Sequence, residues 1–328
     1  MIRSKIVATG SGIPEKVVTN FDLEKIVDTS DEWISQRTGI KERRVVIDET
    51  AADLATTAAN EIIEKSGIDP LDIDMIIVST CSPDYLTPNV ACVVQNNIGA
   101  KNAACVDVSA ACAGFTFALS VADKYVISGA KKCVLVLASE IISKFTNWED
   151  RSTCVLFGDA AGGVLLVPEE NDEGGLICEE IGSKGEGWEV LGNGGLPISN
   201  AFNGHEKIKP EDTYVFMDGR EVFKFATGKL RESIDNVLEM AKMDKEEVTW
   251  VVPHQANIRI IEVVAKKVGI PMDKFYLNIE RFGNTSSASI PVALNEMAEK
   301  GLLKKGDNIV LSGFGGGLCW GTILVKWC

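Results

Sequence analysis

The sequence predicts an α/β fold in which one pattern of elements is written twice. Two observations carry this. Apolar, β-rich runs alternate with helical patterns along the chain, which points to a largely parallel sheet covered by helices. The order of elements in the first half then recurs in the second, with matched endings.

The first strand is expected over residues 5–9, running into the Gly10-Ser11-Gly12 turn and Pro14. Further strands are expected over 75–79, 104–108, 133–138, 163–167, 249–252, 308–312 and 322–326. Helices are expected over 51–66, 87–98, 113–128, 220–240, 258–268 and 289–300. One series reads strand 75–79, a helix ending in Asn97-Ile98-Gly99, strand 104–108, a small-residue turn at Cys112, a helix and strand 133–138. The other reads strand 249–252, a helix ending in Val268-Gly269-Ile270, a strand over 275–279, a small-residue turn at Asn284, a helix and strand 308–312. Both series close on a Phe-Gly motif before a strand, Phe157-Gly158-Asp159-Ala160-Ala161-Gly162-Gly163 and Phe314-Gly315-Gly316-Gly317. Alternation alone would give part of this agreement; the matched endings make duplication the better reading. The halves are expected to span 1–172 and 173–328, joined through the charged run 168–175. The Gly- and Asn-rich stretch 182–213 has weak periodicity and reads as functional loops or dimer contacts.

With 45% hydrophobic and 24% charged residues, the 328-residue chain has the makeup of a globular protein with material for a sizeable core. No apolar run nears the roughly 18 residues a membrane span needs. The apolar stretch 6–8 is too short for a signal-peptide core, so a cytoplasmic protein is expected. A net charge of −14 and a pI of about 4.8 argue against general nucleic-acid binding, which wants a basic stripe. An acidic protein partner would then need a local basic patch to overcome the overall field. Nine cysteines (Cys81, Cys92, Cys105, Cys112, Cys133, Cys154, Cys178, Cys319 and Cys328) include no CxxC pair, and only His205 and His254 could add imidazoles. A zinc site is not expected. Buried thiols behaving as small hydrophobes account for most of the nine.

Cys112 stands apart. Ser109, Ala110 and Ala111 before it, and Ala113 and Gly114 after it, are small enough for a sharp strand-to-helix turn and close approach of a substrate. The helix it opens is apolar nearly all round and so is expected to be buried. A thiol at such a helix start has its thiolate favoured by the helix dipole and unpaired N–H groups, which is what an activated nucleophile needs. The alternative is one more buried thiol. His254, in Val251-Val252-Pro253-His254-Gln255-Ala256-Asn257, ends a strand before a helix, where open α/β sheets place ligands. A lone histidine is nonetheless more often structural. Asn284, in Phe282-Gly283-Asn284-Thr285-Ser286-Ser287-Ala288, would alone read as a helix cap.

Taken together, four segments resemble the signatures of β-ketoacyl-acyl carrier protein synthase III. They are Val108-Ser109-Ala110-Ala111-Cys112-Ala113-Gly114-Phe115, Pro253-His254-Gln255-Ala256-Asn257, Gly283-Asn284-Thr285-Ser286-Ser287-Ala288-Ser289-Ile290-Pro291 and Gly313-Phe314-Gly315-Gly316-Gly317. The resemblance runs from Ile6 to the last strand and includes Asp31-Glu32-Trp33-Ile34 with Arg37-Thr38-Gly39-Ile40. It implies a thiolase-like fold of five layers, αβαβα, built from two pseudo-duplicated halves. It also implies the reaction: an acyl-CoA primer loads onto Cys112, and a malonyl thioester on acyl carrier protein then loses carbon dioxide and condenses with it, starting fatty acid synthesis. By the same resemblance, Cys112, His254 and Asn284 form the catalytic trio, and the backbone amides of Cys112 and Gly316 the oxyanion hole. No metal or organic cofactor is implied.

The resemblance further implies that Trp33 stacks on the adenine of coenzyme A with Arg151 on its other side, while Arg37 approaches the phosphates. Arg220, Lys224 and Asn257 complete that coenzyme site. Arg220 is a departure, since the family often has asparagine there. Thr87 and Phe314 are assigned to the acyl pocket, with Thr87 reaching across a homodimer where acetyl-specific relatives carry phenylalanine. Gln255, Arg259, Lys266 and Lys267 are assigned to the acyl carrier protein, the last three by their i, i+7 and i+8 spacing on one helix.

Other readings compete. Cys, His and Asn also serve thiol hydrolases, but the duplication and the Gly315–Gly317 loop argue against that. A dinucleotide-binding module fails on context, because Gly10-Ser11-Gly12 lacks the third glycine and Phe314–Gly317 leads into a strand. A secondary-metabolite synthase of the same fold, using the same trio, stays open.

Overall fold

Strands that are apolar on both sides must be covered on both faces, and the chain meets this with two sheets between three helical layers. The structure is a computed structural model that describes residues 2–170, 174–195 and 209–328. The first sheet holds β1 (Arg3–Gly12), β2 (Met75–Ser79), β3 (Ala104–Val108), β4 (Val134–Glu140) and β5 (Ala160–Glu169) in the order β1-β5-β4-β2-β3. The second holds β6 (Gly175–Ser183), β7 (Trp250–Pro253), β8 (Asn308–Gly315) and β9 (Cys319–Lys326) in the order β7-β8-β9-β6. The two orders correspond. β6, β9, β8 and β7 take the places of β1, β5, β4 and β2, and a parallel bridge between Val251 and Phe275 stands where β3 pairs with β2.

Both sheets are mixed rather than largely parallel. β2 runs parallel to β3 and β4, but β5 is antiparallel to β1 and β4. β7 and β8 are parallel, and β9 is antiparallel to both its neighbours. Only parallel pairs need a helical crossover; the three residues between β8 and β9 can close nothing but a reversal.

Among the described residues six helices cover the sheets, α2 (Ala51–Ser66), α3 (Val90–Ile98), α4 (Gly114–Ile127), α5 (Gly219–Ala241), α6 (Ile258–Val268) and α7 (Ser289–Glu299), while α1 (Asp31–Thr38) packs beside α6. α2 and α3 lie on the outer face of the first sheet, α4 and α7 between the sheets, and α5 and α6 on the outer face of the second. Alternation along the strands matches: Met75 and Ile77 of β2 face the central layer while Ile76 and Val78 face α2 and α3. In β8, Ile309 and Leu311 face the central layer and Val310 the outer one. The expected five-layer αβαβα architecture is thus the one observed.

Three expectations need correction. α3 starts at Val90, not at 87, because Asn89 caps it by accepting the Cys92 N–H at 2.9 Å. β6 is absent from the predicted strands because Glu179 and Glu180 interrupt its apolar pattern. Both are partnered inside, Glu179 by Ser120 and Lys124, Glu180 by Asn236 and Trp320. No strand forms over 275–279. There the Gln255 side chain does a strand's work, donating to the Tyr276 carbonyl (3.1 Å) and accepting the Asn278 N–H (3.2 Å). The expected boundary at 172/173, His205, and residues 196–208 of the 182–213 stretch lie outside the described residues. Within that stretch Leu191–Asn193 pairs with Val215–Met217.

Candidate active site

β3 ends at Val108, and the chain turns through Ala111–Ala113 into α4. Ala111 takes a φ of +46°, in the left-handed region that side-chain-bearing residues avoid. Two glycines make the turn fit: a Cβ on Gly114 would run into Ser79 Oγ, and one on Gly315 into the Cys112 amide. Cys112 is therefore presented at the helix start with the glycine end of β8 against its backbone. Burial pushes its thiol up to about 12, against the pull of contacts with Ser286 and the Cys112 backbone. Burial thus works against the thiolate that the helix start is expected to favour.

The second half repeats this turn three residues beyond Asn284. Ser286 takes a φ of +51°, Ser286–Ala288 forms the same short helical turn, and α7 follows. The counterpart of Cys112 is therefore Ser287, not the Asn284 position that the sequence pairs with it. The first half grips Asn284: its N–H donates to the Leu156 carbonyl (2.8 Å) and its carbonyl accepts the Gly158 N–H (3.0 Å). This is the structural use of the Phe157-Gly158 motif. The Asn284 side-chain oxygen accepts the Ser286 N–H at 2.9 Å, which leaves the amide nitrogen to act as a donor.

His254 continues β7, its N–H donating to the Ser312 carbonyl at 2.8 Å. The residue is 1% exposed. Nδ1 lies 2.7 Å from Ser289 Oγ, and Phe314 packs edge-on at 5.4 Å between centroids. Burial holds the imidazole down to about 3, with the Ser286 backbone pulling weakly the other way, so the ring is neutral at physiological pH.

Cys112, His254, Asn284 and Phe314 line one cavity of about 430 Å³, whose more exposed wall carries Trp33, Arg37, Asn257 and Arg259. Arg37 and Arg151 each place a guanidinium 5.0 Å from the Trp33 ring centroid. Asn257 caps α6 through the Arg259 N–H (2.9 Å) and donates to the Arg37 carbonyl (3.1 Å), so it ties this wall together. A second cavity of about 580 Å³ lies against Ala111 and Gly316 and is walled by Cys81, Tyr85 and Leu86; Leu191 borders both.

The remaining assignments fare unevenly. Arg220 and Lys224 are exposed and line no part of the Cys112 cavity. From the same helix it is Gly219, Val222 and Phe223 that do, while Lys224 borders a separate groove with Val190 and Leu318. Thr87 is exposed and outside both cavities of its own chain. Phe314 lines the Cys112 cavity and packs on the His254 ring. Gln255 cannot meet a protein partner: it is 0% exposed and its amide is spent inside, on Pro253, Tyr276 and Asn278. Arg259, Lys266 and Lys267 are exposed as expected, with Arg259 donating to the Gln36 carbonyl and Lys267 touching Thr227.

Sequence reasoning gave no role to Ser286, Ser289 or Glu140, which surround the trio. The two serines stand inside a quoted motif. Glu140 follows a run of buried apolar residues, and a charge at the end of a fully buried strand is the signal that could have found it.

A neutral imidazole and an amide facing a helix-start cysteine, at the junction of two duplicated sheets, define a thiolase-like condensing acyltransferase. Comparison with known proteins narrows this. Residues 106–185 match the family model of 3-oxoacyl-[acyl-carrier-protein] synthase III, and residues 238–327 that of its C-terminal region. The chain belongs to the 3-oxoacyl-[acyl-carrier-protein] synthase III family. It is 52% identical over 323 residues to the beta-ketoacyl-[acyl-carrier-protein] synthase III of Clostridium acetobutylicum, covering 98% of each chain. Its fold matches the crystal structure of the Aquifex aeolicus synthase III at a TM-score of 0.91 and 45% identity, over 99% of this chain and 100% of that one. The priming beta-ketosynthase of the R1128 polyketide pathway also matches, at a TM-score of 0.91 and 34% identity, over 99% and 96%.

Proposed function

We propose that the chain catalyses the initiating condensation of fatty acid synthesis, joining an acyl-CoA primer to malonyl-acyl carrier protein. One observation carries the reading: Cys112, neutral His254 and Asn284 converge on a single cavity whose open wall is built from Trp33 and Arg37. In the first step Cys112 sulfur bonds to the thioester carbon, the carbon–sulfur bond to coenzyme A breaks, and the thiol proton leaves with coenzyme A. Amides of Cys112 and Gly316 hold the oxyanion. In the second step the malonyl carboxylate departs as carbon dioxide, and its bonding pair becomes an enolate. His254 and Asn284 donate to the enolate oxygen; its carbon bonds to the acyl carbonyl carbon, the bond from that carbon to Cys112 sulfur breaks, and the sulfur takes up one proton from solvent to restore the thiol. Atoms and electrons balance without a cofactor.

Trp33, Arg37 and Asn257 are read as the coenzyme wall, with Arg151 held on the Trp33 ring. Arg259, Lys266 and Lys267 are read as the carrier-protein surface. The two halves are read as 1–172 and 173–328, supported by the matched strand orders. A homodimer is part of the reading: β3 is an edge strand left half exposed, beside exposed Tyr85 and Leu86, and Thr87 would line a pocket only from a partner. No helix among the described residues is long and apolar enough to cross a membrane. The nine cysteines are all free, as in a reducing cytoplasm.

The likeness to a polyketide-priming synthase supports a second reading, condensation for a secondary metabolite. A panel of acyl-CoA primers, with malonyl-carrier protein as extender and carbon dioxide release as readout, tests the proposal. Turnover with short saturated or branched primers supports it. Absence of release with every primer contradicts it, and turnover confined to an unusual primer favours the second reading.

A further inference from the structure

Glu140 is a buried carboxylate to which the reading above gives no role. It ends β4 and is 0% exposed. Oε2 accepts from the Cys81 N–H (3.1 Å), Cys81 Sγ (3.3 Å) and Ser82 Oγ (2.8 Å). Oε1 accepts from Ser286 Oγ (3.2 Å) and Ser287 Oγ (2.6 Å). Among the described residues these partners are all neutral. Lys144, whose field reaches the carboxylate, commits its ammonium to the carbonyls of Ser82 (2.6 Å) and Pro83 (2.9 Å). Burying a carboxylate without a bonded cation is unfavourable compared with an apolar side chain in the same place. What it holds must therefore be worth holding.

It holds the turn under the active site. Ser286 and Ser287 start that turn, and Ser286 stands at φ +51°, a conformation that persists only when its surroundings fix it. The Ser286 N–H is the group that binds the Asn284 side-chain oxygen. Ser286 also contacts the Cys112 sulfur, and its hydroxyl lies 3.8 Å from Cys81 Sγ. One carboxylate thus ties the segment after β2 in the first half to the turn before α7 in the second. We infer that Glu140 is a positioning residue for condensation: by fixing the Ser286 and Ser287 hydroxyls it locks the turn that aims the Asn284 amide at the substrate. This rests on the assignment of His254 and Asn284 to decarboxylation.

Glu140→Gln keeps the shape but turns one acceptor into a donor: an NH2 facing Ser286 and Ser287 forces their hydroxyls to accept where they now donate, and one facing Cys81 meets its N–H donor against donor. Glu140→Gln, Ser287→Ala and Asn284→Ala are compared with the parent in both half-reactions: acyl transfer to Cys112 by intact mass, and steady-state carbon dioxide release from malonyl-carrier protein. In Glu140→Gln, kcat for release is expected to fall about tenfold to a hundredfold, as misplaced catalytic groups do. KM for the malonyl thioester stays within about twofold and the acylation rate within about threefold. Ser287→Ala shows the same pattern with a smaller loss. Unchanged release in Glu140→Gln overturns the inference. So does an equal fall in both half-reactions, which a merely loosened fold would give. If Glu140→Gln fails to fold, Ser287→Ala decides by the same criteria. Should Asn284→Ala retain release, the underlying site assignment falls and the inference with it. If Asn284→Ala loses release while Glu140→Gln keeps it, only the inference falls.

Discussion

His254 Nδ1 and Ser289 Oγ stand 2.7 Å apart at the matching ends of β7 and α7, and the first half has its own version of this contact. There Ser79, at the end of β2, lies so close to Gly114, at the start of α4, that no side chain fits on the glycine. Duplication has supplied the same strand-end and helix-start contact twice. One copy presents the nucleophile; the other carries the imidazole.

Ser289→Ala removes the hydroxyl that holds the ring. The imidazole then keeps the Phe314 ring and the Ser286 backbone as orienting contacts. Carbon dioxide release should fall by about tenfold, less than the roughly 10²–10³-fold expected for His254→Ala or Asn284→Ala, which remove an oxyanion donor outright. Single-turnover release measurements with pre-acylated protein compare the three variants directly.

The thiol of Cys112, pushed up to about 12 by burial, is protonated at neutral pH. The thiolate fraction therefore grows with pH throughout the accessible range. Alkylation of Cys112 by iodoacetamide should rise by roughly tenfold per pH unit between about pH 7 and 10, without a plateau. His254, held near 3, stays neutral over the same range and adds no inflection. A plateau beginning near pH 7 would mean that the helix start outweighs burial after all.

Lys266 and Lys267 lie away from the cavity, whereas Arg259 lines it. The double change Lys266→Glu with Lys267→Glu should therefore raise KM for malonyl-carrier protein several-fold, roughly what loss of rim charges gives, and weaken its salt dependence. Turnover of malonyl-CoA should hardly change. Equal KM for the carrier protein at low salt would remove these lysines from the docking surface.

By the sequence resemblance Thr87 would take the place of a phenylalanine of acetyl-specific relatives, and each further buried methylene contributes about 0.8 kcal/mol. If Thr87 reaches across to a partner's pocket, kcat/KM should favour primers longer than acetyl by about one to two orders of magnitude. Thr87→Phe should then restore acetyl preference and leave decarboxylation intact. A wild type that strongly prefers acetyl-CoA would contradict this.

Sequence made legible whatever is written as local pattern. The runs in β2, β4 and β8 are apolar on both faces, so their burial between helical layers follows from composition alone. Small residues around Cys112 announced its turn. Other features depend on partners distant in sequence. β6 hides behind Glu179 and Glu180, whose partners come from α4, α5 and β9. A strand over 275–279 looked plausible until Gln255 replaced its neighbour. Gln255 itself, next to His254 in a signature, seemed a surface contact and is wholly interior. Proximity in a motif says that residues serve one site, not which way each side chain faces. Burial also works against the expected Cys112 thiolate, since desolvation depends on what packs around it from both halves.

In the proposed reaction Cys112 carries the acyl group between the two half-reactions. Intact-mass spectrometry of His254→Ala/Asn284→Ala protein, incubated with acyl-CoA and then with malonyl-carrier protein, tests it most directly. One acyl adduct per chain is expected, lost when Cys112 is changed to Ser, that persists after the malonyl thioester is added because release of carbon dioxide is blocked. An adduct that forms fully on the Cys112→Ser variant, or one absent from otherwise folded wild-type protein, would contradict it.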